Sequence, residues 1–198
     1  MVVPRSKPVE LHDHAMDNLR YIRGTMERAG SFTAVPGLGG VLMGSTALAA
    51  AWIANSVTGA NHWILVWTLE CAAGIVIGIV ATALKARRLH SPVLNGPGRK
   101  FLAGFAPAIF AGAVLSIVFH GVGMLWYLPG IWLLLYGTAV LSAGWGSVRA
   151  VPLMGGCFMA AGTVALLMPD LPGNVLLAAG FGGLHIVFGT IIAVKHGG

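Results

Sequence analysis

The sequence predicts an all-α integral membrane bundle of six transmembrane helices built from hairpins, with an amphipathic helix ahead of the first span. Three observations predict it. Of 198 residues, 57% are hydrophobic and 9% are charged, whereas a soluble domain needs about a quarter charged residues to cover its surface. Six stretches are apolar over the roughly 20 residues that ~30 Å of hydrocarbon demands at about 1.5 Å of rise each. The Lys and Arg residues, 12 in all, fall only before, after or between alternate pairs of those stretches, as the positive-inside rule requires.

Residues 1–35 form a cytoplasmic N-terminal segment. It carries Arg5, Lys7, Glu10, Asp13, Asp17, Arg20, Arg23, Glu27 and Arg28 with no apolar run among them, so it does not read as a cleaved signal peptide, and the N-terminus is expected to be retained. Over residues 10–28, Leu11, Ala15, Leu19, Ile22 and Met26 recur at steps of four and three, which gathers them within roughly 80° on a helical wheel. Arg23 and Glu27 are placed to support each other at i,i+4, and Gly30 is a stop signal. The mixed charge argues against a simple anchor to anionic lipid, which would be strongly basic. A face made of Leu11, Leu19, Ile22 and Met26 suits packing on the bundle or holding a second protein or protomer; a helix lying in the membrane interface without a partner is the alternative.

The spans are expected near 37–57, 62–84, 101–120, 125–144, 151–168 and 174–194, and residues 36–198 make up the transmembrane domain. Turn chemistry separates them: Asn55 to Asn61, SPVLNGPGRK at 91–100, Gly121 to Gly123, Trp145 to Arg149, and PDLPGN at 169–174. Arg5, Lys7, Arg20, Arg23 and Arg28 precede the first span, Lys85, Arg87, Arg88, Arg99 and Lys100 lie between the second and third, Arg149 between the fourth and fifth, and Lys195 after the sixth. Both termini are therefore expected in the cytoplasm of a bacterial inner-membrane protein. Trp52, Trp63, Trp67, Trp126 and Tyr127 are expected in an aromatic belt at the outer interface.

AVPGLGG at 34–40 recurs as AVPLMGG at 150–156, at the starts of the first and fifth spans. Proline in a first helical turn forfeits no hydrogen bond, and paired glycines let neighbouring backbones approach. Ala72-Ala73-Gly74 before Lys85 and Ala178-Ala179-Gly180 before Lys195 extend the likeness, so a duplicated parallel hairpin is expected; a threefold repeat, or chance likeness in apolar sequence, stays open. Gly40, Gly44, Gly74, Gly78 and Gly156 are the expected packing glycines, within one chain or between chains.

Glu70 is the formally charged side chain placed well inside a span, about eight residues and so on the order of 12 Å below the outer surface, where an ionisable group is a functional candidate. His185 falls near the midplane of the sixth span, and His62 and His120 near the outer ends of the second and third. Ordered by depth, His62, His120, Glu70 and His185 outline a candidate proton or cation path; a structural interhelical hydrogen bond is favoured for His185 and stays open for Glu70. No catalytic residue, metal set or cofactor motif is visible: H-E-x-x-H, Walker, G-x-S-x-G and paired carboxylates are missing. Haem ligation by His62 and His120 lacks a supporting motif. Cys71 and Cys157 lie in apolar runs and suggest no disulfide framework.

LRYIRGTMERAGSFTAVPG at 19–37, GPGRKF at 96–101, LPGIWLLLYG at 128–137 and GLHIVFG at 183–189 resemble a group of small six-span bacterial membrane proteins without assigned activity, sometimes encoded beside winged-helix regulators. The resemblance implies a bacterial six-span protein and carries over no catalytic residue. The expected function is a non-enzymatic membrane subunit or regulator whose partners are the lipid bilayer and a second copy or second protein, with no nucleic acid. The alternative is a small transporter or channel, proton-coupled through Glu70 and His185; a lipid-acting enzyme is disfavoured for want of a nucleophile with its base.

Overall fold

The computed structural model describes residues 14–22, 26, 34–88 and 96–196. It comprises two units, 1–31 and Phe32–Gly198. In the first, residues 14–22 (α1) and Met26 are helical, and the Arg20 guanidinium pairs with Asp17 Oδ1 at 3.2 Å. Leu19, Ile22 and Met26 are exposed. Leu11 and the expected Arg23–Glu27 pair lie outside the described residues.

The second unit contains six helices long and apolar enough to cross a membrane: α2 (Gly37–Ser56), α3 (Ala60–Arg88), α4 (Gly96–Gly121), α5 (Leu128–Gly144), α6 (Ala150–Leu167) and α7 (Gly173–His196). A 3-10 turn, Leu125–Tyr127, leads into α5. No strand occurs among the described residues. Two of these helices run beyond the apolar stretches: α3 continues to Arg88 and α4 begins at Gly96. Apolarity marks where lipid ends, not where a helix ends, and Lys85, Arg87 and Arg88 complement the negative end of the α3 dipole. Proline opens the two repeated phrases differently: Pro36 is the N-cap before α2, its carbonyl accepting from Gly40 N at 3.1 Å, whereas Pro152 lies inside the first turn of α6.

Hairpin order does not govern the packing. The closest neighbours are α5 with α6 and α2 with α7, while α6 and α7 touch only sparsely. Glycine sets both tight pairs, because a side chain would collide with the facing backbone. A Cβ at Gly155 would lie 2.6 Å from Leu141 N, and one at Gly137 would lie 2.6 Å from Met159 N. Across the other pair, a Cβ at Gly44 would lie 2.6 Å from Gly182 O, and one at Gly189 would lie 2.7 Å from Val41 N. Leu128, Leu133, Phe158 and Leu177 are fully buried. Outside this four-helix centre, α3 packs on α2 and α4 packs on α5; only 6% of the apolar window is buried in each of α3 and α4, against 33–44% in the other four.

Side-chain bonds fix which helix ends lie together. Lys85 Nζ donates to Val35 O and His196 O, both at 3.0 Å, joining the start of α2 and the ends of α3 and α7. At the opposite end, Asn174 of α7 donates to Asn55 Oδ1 of α2 at 2.7 Å and accepts from Trp63 Nε1 of α3 at 2.7 Å.

Candidate functional site

His185 begins the last stretch of α7, directly after a π-helical segment, Ala178–Leu184. Its backbone N–H donates to Gly182 O, and its ring turns back to the carbonyl four residues earlier, His185 Nδ1 lying 2.9 Å from Phe181 O. A carbonyl only accepts, so Nδ1 carries the hydrogen, and in the neutral ring Nε2 accepts from Tyr136 Oη of α5 at 2.7 Å. Both ring nitrogens are satisfied, and the residue is 4% exposed. Around the pair stand Phe158 of α6, its ring 4.8 Å from that of Tyr136, Phe181 of α7 at 5.1 Å, and Phe105 of α4 at 5.6 Å. Three of these contacts are edge-on, which directs positive ring edges at neighbouring π faces.

Glu70 sits apart from this cage. It is half-buried on α3, and its Oε1 lies 2.8 Å from Thr46 Oγ1 of α2. The same hydroxyl lies 2.9 Å from Met43 O. One hydroxyl hydrogen cannot serve two acceptors fully, and both contacts are complete only when the carboxyl donates one of them. No hydrogen bond among the described residues links Glu70 with His185.

His62 and His120 are exposed. His62 Nδ1 turns back to Thr58 O at 3.0 Å, and His120 Nε2 meets Asn61 Oδ1 at 2.8 Å, which ties the end of α4 to the start of α3. The four residues expected along a path thus occupy three separate places: the opposite end, the α2–α3 contact and the aromatic cage. Among the described residues, no three His, Cys, Asp or Glu side chains gather as a metal site would require.

No family model, curated protein or solved structure matches this chain.

A second polar centre escapes the sequence reading. Asn174 Oδ1 accepts from Trp63 Nε1 at 2.7 Å and from Trp67 Nε1 at 3.2 Å, and Trp63 stacks on Trp132 with centroids 5.5 Å apart. Trp132 Nε1 in turn donates to Ser116 Oγ at 2.8 Å. Trp67 is buried and Trp63 half-buried, so these two are interior donors rather than belt residues, while Trp52 and Trp126 are exposed. An indole inside a bundle needs an acceptor; the signal available in sequence was a lone asparagine at a helix start, in PDLPGN.

The expected packing glycines also divide. A Cβ at Gly40 would approach Gly189 Cα at 3.2 Å, and Gly44 closes on Gly182 and Ile186; Gly78 faces Met43 Sδ at 3.8 Å; Gly74 and Gly156 meet nothing within 4 Å.

Proposed function

We propose that this chain is a non-enzymatic integral membrane subunit or regulatory protein of the bacterial cytoplasmic membrane, its termini in the cytoplasm, acting through helix packing and its N-terminal helix. One observation carries this reading. On α1, outside any span, Met16 (40%), Leu19 (60%) and Ile22 (52%) are exposed, as is Met26 (71%). Lipid can solvate apolar residues on the spans, but in water an uncovered apolar row marks a contact surface.

Purification of the full chain from native membranes in mild detergent, followed by mass spectrometry, tests it. A companion protein or second copy should stay with the wild type and leave with Leu19→Ser/Ile22→Ser, while the chain remains in the membrane. Retention of the same companion by the variant, or a wild type that is always solitary, overturns the reading.

Glu70 favours a second reading, a small proton-coupled transporter, because a half-buried carboxyl beside Thr46 can exchange its proton. In proteoliposomes Glu70→Gln should then abolish solute-driven proton flux at unchanged protein content; flux equal to wild type excludes it.

A further inference from the structure

Where α2 packs on α3, the contact is closed at two levels and open between them. Towards the basic end, Lys85 Nζ holds Val35 O at 3.0 Å and Gly39 closes on Ala81. Further along, Glu70 Oε1 lies 2.8 Å from Thr46 Oγ1. Gly74 falls between. It comes seven residues after Trp67 and eleven before Lys85, so the three project within about 20° of one direction. Trp67 and Lys85 are buried, which makes that direction inward. A Cβ at Gly74 would nevertheless meet nothing within 4 Å. One turn later Gly78 faces Met43 Sδ at 3.8 Å, and one turn earlier Glu70 faces Thr46. Gly74 therefore looks onto α2 between Met43 and Thr46. Glu70, Gly74, Met43 and Thr46 are all half-buried, so the space is not sealed.

A carboxylate within a span requires a counter-charge. Lys85, the basic residue on the same face of α3, is about 22 Å away along the helix, and its ammonium is engaged by Val35 O and His196 O. The proton of the Glu70 carboxyl serves instead, and a ligand cation can take its place. The acceptors say which kind. With Glu70 ionised, the Thr46 hydroxyl donates to Met43 O at 2.9 Å and keeps its lone pairs. Carboxylate and hydroxyl then offer two neighbouring acceptors to one cation that carries N–H groups. Hard metal ions gather about six oxygen ligands, and two side-chain oxygens serve them poorly. An ammonium is satisfied by two or three acceptors. Its alkyl part suits a space bordered by two glycines and the thioether of Met43.

We propose that the opening between α2 and α3 binds a primary alkylammonium ion, its N–H groups donating to Glu70 and Thr46 and its alkyl chain lying over Gly74 against Met43. Binding breaks the O–H bond of the Glu70 carboxyl, the proton leaves to water, and the ammonium replaces it as counter-charge. One cation thus enters for each proton released. The site rests on the transporter reading only in taking the Glu70 proton as exchangeable; binding at equilibrium needs no flux.

Calorimetric titration of the full chain in neutral detergent with n-butylammonium, in two buffers of different ionisation enthalpy, counts the protons. About one should leave per ion bound, and Glu70→Gln should release none. Thr46→Val removes an acceptor and should weaken binding about tenfold. Gly74→Leu fills the space with the carboxyl intact and should weaken it by about as much, whereas Gly156→Leu, adding the same bulk at an exposed position, should bind like the wild type. Thermal melts verify that each variant is folded. Tetramethylammonium, which has the charge but no N–H, should bind about tenfold more weakly. Wild-type affinity in Gly74→Leu overturns the site, and Na+ releasing the proton as readily as butylammonium overturns the choice of ligand. A chain that binds the ammonium yet carries no proton flux keeps the site and loses only the transporter reading; flux without ammonium-driven proton release does the reverse.

Discussion

Tyr136 and His185 show how a polar pair is kept inside an apolar bundle. Each group has one partner it cannot replace: the phenol donates to Nε2, and the opposite ring nitrogen donates to Phe181 O. Tyr136→Phe keeps the ring that Phe105, Phe158 and Phe181 surround and deletes only the hydroxyl, so Nε2 becomes a buried acceptor without a donor. Such a group costs about 1–3 kcal/mol, and the thermal midpoint in detergent should fall by several degrees. An unchanged midpoint would mean the hydrogen bond is not made. At Lys85 the buried group is a charge. The ammonium ends in two backbone carbonyls, Val35 O and His196 O, so Lys85→Met keeps much of the side-chain volume and removes the link between chain entry and exit. Amide exchange in the last turn of α7 should rise about tenfold, the equivalent of ~1.4 kcal/mol of local stability, and exchange like the wild type's would dismiss the link. The sequence offered Lys85 only as one positive charge among twelve; its burial is a property of what surrounds it, and no local pattern encodes that. Tyr136 hid in LLLYG for the same reason, since the partner that makes it polar in function is 49 residues away.

Among elements, the spans were legible and their neighbours were not. Length and apolarity mark a spanning helix one segment at a time, and six helices long and apolar enough to cross a membrane are present. Adjacency depends on which face carries small residues, and in lipid nothing hydrophobic singles out one face over another. AVPLMGG illustrates this: of its glycines, Gly155 meets α5, and Gly156, one residue and about 100° further on, meets nothing. Gly155→Leu should therefore separate α5 from α6 and leave no monodisperse folded protein in detergent, because the collision at 2.6 Å is with the backbone N of Leu141. Gly156→Leu, pointing into open space, should shift stability by no more than about 0.5 kcal/mol. Size-exclusion profiles of the two variants decide it, and equal behaviour would mean that the α5–α6 register is wrong. The two copies of the repeated phrase are used differently: α2 sets Gly37 and Gly40 against α7 and Gly39 against Ala81 of α3, while α6 sets Gly155 against α5, which hairpin order did not foretell.

At the scale of the whole molecule, the bonds that join helix ends give the chain a polarity independent of any charge rule. Lys85 brings the start of α2 to the ends of α3 and α7, His120 brings the end of α4 to the start of α3, and the stack of Trp63 on Trp132 brings the start of α5 to that same opposite end. Lys85, Arg87, Arg88, Arg99, Lys100, Arg149 and Lys195 consequently share one end of the bundle, and Asp170 lies in a turn at the other. Contact geometry and, independently, the preference of positive loops for the side on which the chain is made group the same turns together. Only the second says which end faces the cytoplasm, and it makes a strong prediction because the bias is so one-sided. In intact cells a membrane-impermeant maleimide should label a cysteine introduced at Thr58 or Leu171 and should not label one at Arg149 or Lys195 until the membrane is opened; the native Cys71 and Cys157 are replaced by alanine first. Labelling of all four from outside would show that the basic end is not enclosed, and labelling of Arg149→Cys alone would mean that α5 and α6 do not both cross.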